Sequence, residues 1–300
     1  MPLAQSDLTA NPAFLDRITA QSRDFLEVNG RMPRLASIFA TQQRWLMAHI
    51  GLTLHWRNRD GEDREALNPA RFAQEVEAHS VASANTAAAF LVEMHQYGVI
   101  RTRPSATDRR LRLYEPTPVT IGAIDVWMRI HLATLDALDG ADRGTLYAQA
   151  PDGLQTIQPL IAVGLLSSHP IREPTQDFSQ FMWLNNGFLI MERLIASVEQ
   201  EDATQERAIT GLTSVSRIAE GLSLSRTHAA RKIREAEAAG SLGWEGQRGR
   251  SRLWISNQFR HQFLLIQAEK LAIIDAAFEQ CFGSPQLPVP ELENNPRIIS

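Results

Sequence analysis

Apolar and polar positions along the chain alternate mainly with helical spacing. Apolar residues recur at intervals of three and four residues over several long stretches, which is typical of helices that bury one face. Helices of this length usually pack against one another, so they predict a helical scaffold. The predicted scaffold helices cover residues 13–28, 34–57, 121–138, 154–166, 178–199 and 258–282.

One segment of the chain is repeated. Residues 83–113 align with residues 225–255 at a constant offset of 142 residues, without a gap. The identical pairs are Ser83/Ser225, Ala87/Ala229, Ala88/Ala230, Glu93/Glu235, Gly98/Gly240, Arg110/Arg252 and Leu111/Leu253. Apolar pairs occur where a core needs them, namely Val76/Ile218, Leu91/Ile233, Ile100/Leu242 and Leu113/Ile255. These matches predict an internal duplication.

The duplication suggests how the chain is divided. The first repeat is predicted to cover residues 1–142 and the second residues 143–284. The two ends of the chain, residues 1–11 and the proline-containing residues 285–300, are predicted to be loose tails.

Each repeat predicts the same order of small elements. In the second repeat a short helix at 214–221 is followed by a turn and by a helix that runs from Ser225, as N-cap, to about residue 239. Gly240 ends this helix, and two strands follow it. The strands are predicted at 241–245 and 252–255, and the first-repeat counterparts are helices at 69–78 and 83–97 and strands at 99–103 and 110–114.

This order defines a winged helix-turn-helix. The predicted fold class is therefore mainly α with small two-stranded β-wings. Two winged helix-turn-helix units share one helical scaffold and are related by a pseudo-two-fold axis.

Composition is that of a soluble globular protein. The 300 residues are 44% hydrophobic and 21% charged, which is enough chain for about two domains. The longest apolar stretch, residues 160–166, is too short for a membrane helix, and no leader segment is evident, so we expect a cytoplasmic protein without a membrane partner. The single cysteine, Cys281, is expected to be a buried thiol, with a redox sensor as the alternative.

Positive charge is concentrated in the repeated segment. The chain has a net charge of −4, but residues 83–112 carry +3 and residues 225–254 carry +4. The rest of the chain is strongly acidic. Because nucleic acid attracts clustered cations, this distribution favours contact of both units with phosphate.

Common catalytic motifs are absent from the sequence. It contains no P-loop, Gly-x-Ser-x-Gly elbow, His-Glu-x-x-His helix or Gly-x-Gly-x-x-Gly turn, and its eight histidines show no spacing typical of metal ligands. We therefore expect a protein that is not an enzyme and that has no cofactor and no metal site.

The repeated segment resembles a known family. Residues 83–100 read Ser-x-x-Thr-Ala-Ala-x-x-Leu-x-Glu-x-x-x-x-Gly-Val-Ile, and Asp108 and Arg110 match the Asp-x-Arg wing signature of MarR-type bacterial transcriptional regulators. The second copy is similar, but Arg250 replaces the aspartate while Arg252 is kept. The resemblance implies binding to double-stranded DNA. Family members are about half this length and act as homodimers, which implies a single-chain version of the dimer. We expect a monomer with internal pseudo-symmetry, and a homodimer is the alternative.

The candidate DNA-contacting residues lie on the second helix of each unit and on the wing after it. Arginine pairs with guanine or phosphate, and asparagine pairs with adenine. In the first unit the candidates are Ser83, Asn85, Thr86, Arg109 and Arg110, and in the second they are Ser225, Arg226, Thr227, His228, Arg231, Arg248, Arg250 and Arg252. The arginines have an alternative interpretation as solvated surface charges, Arg110 as an ion pair with Asp108, and His228 as helix surface.

The two units differ in the chemistry of this helix, so we expect an asymmetric DNA site. The tryptophans on the predicted scaffold helices are expected to be core residues, with the lining of a small-molecule effector pocket as the alternative; they are Trp45, Trp56, Trp127 and Trp183. Two other functions stay open. One is a tandem winged-helix replication initiator, which the gap-free offset disfavours. The other is an adaptor that binds proteins through its winged helices.

Overall fold

The computed structural model describes residues 1–33, 38–39, 41–57, 65–105, 110–174, 181, 187–199, 205–222 and 226–283. This part of the chain is mainly helical and contains two small antiparallel sheets. Its helices are α1 (Gln5–Ala10), α2 (Phe14–Arg31), α3 (Gln42–Arg57), α4 (Pro69–Ala78), α5 (Ala84–Gln96), α6 (Pro118–Asp139), α7 (Arg143–Gln149), α8 (Gly153–Ser167), α9 (His169–Arg172), α10 (Gly187–Ala196), α11 (Val215–Ala219), α12 (Arg226–Ala238) and α13 (Asn257–Phe282). Its strands are β1 (Ile100–Arg103), β2 (Leu113–Pro116), β3 (Arg207–Ile209), β4 (Leu242–Trp244) and β5 (Leu253–Ser256).

The predicted class, mainly α with small β hairpins, is confirmed at this level. We call α4, α5, β1 and β2 the first segment, and α11, α12, β4 and β5 the second segment. None of the described helices is long and apolar enough to cross a membrane.

Local sequence signals set the limits of the helices in both segments. The Ser83 hydroxyl accepts a hydrogen bond from the Thr86 backbone N–H at 3.3 Å, and the Ser214 hydroxyl accepts one from the Arg217 N–H at 3.3 Å. Such caps satisfy the free N–H groups of the first turn. Gly98 follows α5 with φ at +69°. This left-handed conformation suits glycine because glycine has no Cβ. The observed start and end of α5 therefore agree with the predicted cap and terminating glycine.

The hairpins of the two segments differ in length, contrary to the gap-free alignment. Ile100 pairs with Pro116, whereas Leu242, its counterpart at an offset of 142, pairs with Ile255. The turn of the second hairpin is therefore three residues shorter. Leu113 and Ile255, which are aligned in sequence, therefore do not occupy equivalent positions in the two hairpins. The same holds for the aligned identities Arg110/Arg252 and Leu111/Leu253. A short Arg-Leu match in the sequence favoured an alignment without a gap, so the difference in hairpin register was missed. Turn length rather than residue identity sets this register.

The second sheet also contains a strand that the sequence did not predict. β3 pairs with β5 on the side opposite β4, so the sheet has three strands in the order β3, β5, β4. The Arg207 guanidinium stacks 4.5 Å from the centroid of the Trp254 ring across this pair. The predicted two-stranded wing is therefore wrong for the second segment. A strand of three residues is too short to show an alternating pattern.

The N-terminal residues are ordered against the scaffold, so the predicted loose tail at 1–11 is wrong. α1 packs against α13, and Leu8 is buried. The Leu3 backbone N–H donates to the Asp275 carboxylate at 2.7 Å. The interaction partner lies more than 270 residues away, so local sequence pattern did not reveal it. The predicted tail at 285–300 lies outside the described residues.

The scaffold helices pack in a reciprocal pattern across the two predicted repeats. α2 packs against α10, and α8, which corresponds to α2 in the alignment, packs against α3, the counterpart of α10. The contact of α1 with α13 is likewise mirrored by the contact of α7 with α6. A two-fold arrangement would produce reciprocal contacts of this kind, and the pseudo-two-fold axis itself stays a prediction. A single apolar core contains residues from both sides of the predicted boundary at residues 142 and 143. The division into domains at this point stays a prediction.

Candidate nucleic-acid interface

Helix α12 buries one face and presents the other to solvent. Ala229, Ile233 and Ala236 are fully buried, and Ile218 of α11 belongs to the same core. The helical repeat then directs the predicted contact residues outward. The exposed residues of α12 include Thr227, His228, Arg231 and Arg234, whereas Ser225 and the side chain of Arg226 lie outside the described residues.

The cations of α12 form weak surface pairs. The Arg231 guanidinium donates to His228 Nε2 at 2.8 Å and lies 3.9 Å from the Glu235 carboxylate. Lys232 Nζ donates to the same carboxylate at 2.6 Å, and this hydrogen bond lowers the pKa of Glu235. Exposed pairs of this type contribute only about 0–1 kcal/mol, so phosphate or a base edge can replace Glu235 at small cost.

The arginines of the second hairpin fall into two groups. Arg252 donates to Glu245 at 2.7 Å and to Glu199 at 2.9 Å, and the Glu245 hydrogen bond raises its pKa. Arg248 pairs with Glu237 at 2.9 Å. Arg250 is exposed, and in the described part of the chain its side chain makes no ion pair. Of these three arginines, Arg250 is thus the most accessible to an anion, while DNA contact by Arg252 requires the exchange of two carboxylates.

Helix α5 presents a different surface. Asn85, Thr86, Ala88 and Ala89 are exposed, and Val92 is 52% exposed. No lysine or arginine occurs between Ala84 and Gln96. The exposed face of its first two turns is therefore uncharged and made of small side chains.

The remaining candidates of the first unit lie at the start of α5 and near the hairpin. Ser83 caps α5 and also lies 3.0 Å from the Thr86 hydroxyl, so its oxygen is already used within the helix. Arg110 is exposed and precedes β2, rather than lying in the strand predicted at 110–114. Arg109 and Asp108 lie outside the described residues, so the alternative ion pair of Arg110 with Asp108 stays a prediction.

Other predicted features of the chain can be placed. Trp45 and Trp127 line a cavity of about 280 Å³ inside the scaffold, Trp56 is a buried core residue, and Trp183 lies outside the described residues. The described side chains include no group of three His, Cys, Asp or Glu that could hold a metal ion. Partial burial raises the pKa of Cys281, which favours the unreactive thiol over the thiolate that a redox sensor needs.

Sequence reasoning missed a buried polar cluster next to this cavity. It contains Lys270, Glu192, His49, His131, Gln158 and Gln267, all of them 4% exposed or less. One signal was present in the sequence: Lys270 is one of two lysines in the chain and lies in the middle of the apolar stretch that forms α13.

Comparison of the chain with protein-family models, with curated proteins and with solved structures gives no match. The resemblance to MarR-type regulators therefore rests on the motifs quoted above.

Proposed function

We propose that this protein is a sequence-specific regulator of transcription that binds double-stranded DNA through two non-identical winged helix-turn-helix units. The observation that carries the proposal is the exposed face of the second segment. Arg231 and Arg234 on α12 and Arg250 on the hairpin after it are exposed in a chain whose net charge is −4. Clustered arginine on a helix and an adjacent wing is the usual footprint of groove and backbone contact.

The proposed mode of binding follows from the element order. α12 and α5 act as recognition helices in successive major grooves, about 10 bp apart. Arg231 reads a guanine edge, and Arg250 contacts the adjacent backbone or minor groove. The reciprocal packing of α2 with α10 and of α3 with α8 supports this arrangement, since two units related like the subunits of a dimer would have such contacts between their scaffold helices.

The first prediction concerns the phosphate contact of Arg250. The variant Arg250→Ala is expected to weaken binding to duplexes of any sequence and to reduce the slope of log affinity against log salt by about 1. Fluorescence anisotropy at several salt concentrations measures both. Arg17→Ala, which removes an exposed arginine from the scaffold helix α2, is the matched control and is expected to leave the slope unchanged. Equal slopes for the wild type and Arg250→Ala would remove the hairpin from the proposed interface.

The second prediction concerns oligomeric state. Because one chain supplies both sets of scaffold helices, we expect a monomer of 33.5 kDa by light scattering at low micromolar concentration. A mass of twice this value would mean that the helices pair between chains and that each assembly carries four units.

The two alternative functions give different results. A protein-interaction adaptor would show no salt-dependent binding to duplex DNA. A replication initiator would occupy origins rather than promoters in a genome-wide occupancy experiment. The gap-free offset was the ground for preferring a regulator, and the shorter second hairpin weakens that ground. The preference now rests on the equal length of α5 and α12, at 13 residues each.

A further inference from the structure

The scaffold cavity is long for its volume. It is lined on α6 by Thr120, Ala123, Ile124, Trp127 and Ile130, which lie on one face of the helix. Ten residues separate the first from the last, and at 1.5 Å per residue the cavity extends for about 15 Å along α6. Its volume of about 280 Å³ is near the lower end of the range for ligand pockets. A narrow, elongated space of this kind fits a chain better than a compact ring system.

One end of the cavity carries a buried cation that, in the described part of the chain, makes no direct ion pair. Lys270 is 4% exposed and lines the cavity, and its ammonium group lies 4.9 Å from the centroid of the Phe188 ring and 5.9 Å from that of Phe25. In the described part of the chain this ammonium has no ion pair and no hydrogen-bond acceptor. Burial lowers the pKa of Lys270, and the nearby carboxylate of Glu192 raises it through space, but the hydrogen bonds of that carboxylate come from the Ser22 hydroxyl and the Gln267 amide. A buried ammonium without a direct ion pair or hydrogen-bond acceptor is only partly compensated, so the site favours an incoming negative group.

His49 adds a second free donor to the cavity wall. The Gln158 amide nitrogen lies 3.2 Å from the His49 backbone carbonyl, which can only accept, and 3.2 Å from His49 Nδ1. Nδ1 therefore accepts, and the ring proton lies on Nε2. His49 is 1% exposed, and its Nε2 has no partner. Burial and the charge of Lys270 lower the pKa of His49 to about 3, so the ring is a neutral donor.

Three other polar side chains along the cavity already donate to backbone carbonyls. The Thr120 hydroxyl donates to the Val99 carbonyl at 2.7 Å, and the Gln42 amide donates to the Ile171 carbonyl at 2.6 Å. The Asn29 amide donates to the Phe25 carbonyl at 2.7 Å. Lys270 and His49 thus provide donors for a ligand head group, and most of the remaining lining is apolar.

We propose that this cavity binds a long-chain aliphatic carboxylate. The carboxylate accepts from the Lys270 ammonium and from His49 Nε2, and the chain lies between α3 and α6. A single ammonium matches a monoanion, whereas a phosphate dianion needs more donors than the site offers. The ammonium, which makes no direct ion pair among the described residues, favours a carboxylate over an uncharged alcohol.

The far end of the cavity reaches the first segment. Phe90 and Met94 of α5, together with Ile100 of β1 and Pro116 of β2, line it there. A bound chain would therefore contact the helix and the hairpin that the proposed function places on DNA. This coupling of ligand and DNA rests on that function, whereas binding of the ligand does not.

The test titrates the protein with dodecanoate, below its micelle-forming concentration, and follows tryptophan fluorescence, to which Trp45 and Trp127 in the cavity wall contribute. We expect saturable binding of one molecule per chain. Affinity for 1-dodecanol and for benzoate is expected to be about 10- to 100-fold lower, because each lacks either the charge or the chain. Equal binding of 1-dodecanol would overturn the assigned head group, and equal binding of benzoate would overturn the assigned chain.

Two variants test the placement of the ligand. Lys270→Met is expected to lose about 10- to 100-fold in affinity for dodecanoate, and Lys232→Met, which alters the only other lysine, is expected to lose none. Ala123→Leu keeps Lys270 and narrows the middle of the cavity, so it is expected to weaken dodecanoate binding even if Lys270→Met fails to fold. Unchanged affinity in either folded variant would refute the proposal.

Measurement of DNA affinity with and without dodecanoate distinguishes the two proposals. If dodecanoate binds and shifts DNA affinity in the wild type but not in Ala123→Leu, both hold. If dodecanoate binds to a protein that does not bind DNA, the function proposed above fails and the ligand site stands.

Discussion

Replacement of Arg143 by leucine is expected to destabilise the fold by about 3–5 kcal/mol, because it leaves the buried Asp275 carboxylate without its cation. The Arg143 guanidinium donates to Asp275 at 2.6 Å and to Asp139 at 2.7 Å, and it lies 3.3 Å from Asp136. Asp275 is fully buried and also accepts from the Leu3 backbone N–H. This network joins α6, α7 and α13 to the N-terminus. Urea unfolding followed by circular dichroism measures the loss.

Two further variants make this result specific. Arg31→Leu breaks an exposed pair with Glu27 and is expected to cost less than about 1 kcal/mol. The double variant Arg143→Leu with Asp275→Leu is expected to recover part of the loss, since both charges are removed together. A loss for Arg143→Leu no larger than that for Arg31→Leu would show that the buried network adds little to stability.

Local signals in the sequence were sufficient to place most helices. The range predicted for α4, residues 69–78, is the observed one, because Asn68 caps the helix and Pro69 suits its first turn. The ends of α5 followed from Ser83 and Gly98 in the same way. These residues act on their own neighbours, so their effect is visible without the rest of the fold.

Features that depend on distant contacts were not predictable. α1 has only six residues and is held by α13, and β3 has three residues and is held by β5. Neither is long enough to show a periodic pattern. The register of the second hairpin depended on a turn shortened by three residues, which a short sequence match concealed.

In the candidate site, too, features set by local sequence were predictable and features set by distant contacts were not. Exposure of Thr227, His228 and Arg231 followed from the helical period, which depends on the sequence of α12 alone. The pairing of Arg252 with Glu199, 53 residues away, did not follow, and it changes which arginine of the hairpin is accessible. The sequence offered pocket lining as the alternative for Trp45 and Trp127, which do line the cavity. The polar cluster around Lys270 did not follow, because its members lie on five different helices.

The outer faces of α5 and α12 differ in charge, and this difference sets the expected form of the DNA site. α12 carries Arg231, Lys232 and Arg234, whereas α5 has no cation between Ala84 and Gln96. Guanidinium groups form paired hydrogen bonds to guanine, and the amide of Asn85 suits adenine. A pair of identical units prefers a palindrome, but these two units present different chemistry to the bases. We therefore expect an asymmetric site in which the half bound by α12 contains guanine.

Arg231→Ala is expected to lower affinity for a selected site by about 10- to 100-fold, corresponding to one paired contact of about 1–3 kcal/mol, and to relax specificity in one half of the site only. Asn85→Ala is expected to lower DNA affinity less than Arg231→Ala does, because α5 has no cation that would hold the helix against the DNA backbone. Selection from random duplexes, repeated with each variant, measures both effects, and Arg17→Ala controls for the loss of one positive charge. A palindromic wild-type site would contradict this division, because it requires both helices to make equivalent base contacts. A larger loss for Asn85→Ala than for Arg231→Ala would also contradict it, because α5 would then contribute more to recognition than α12.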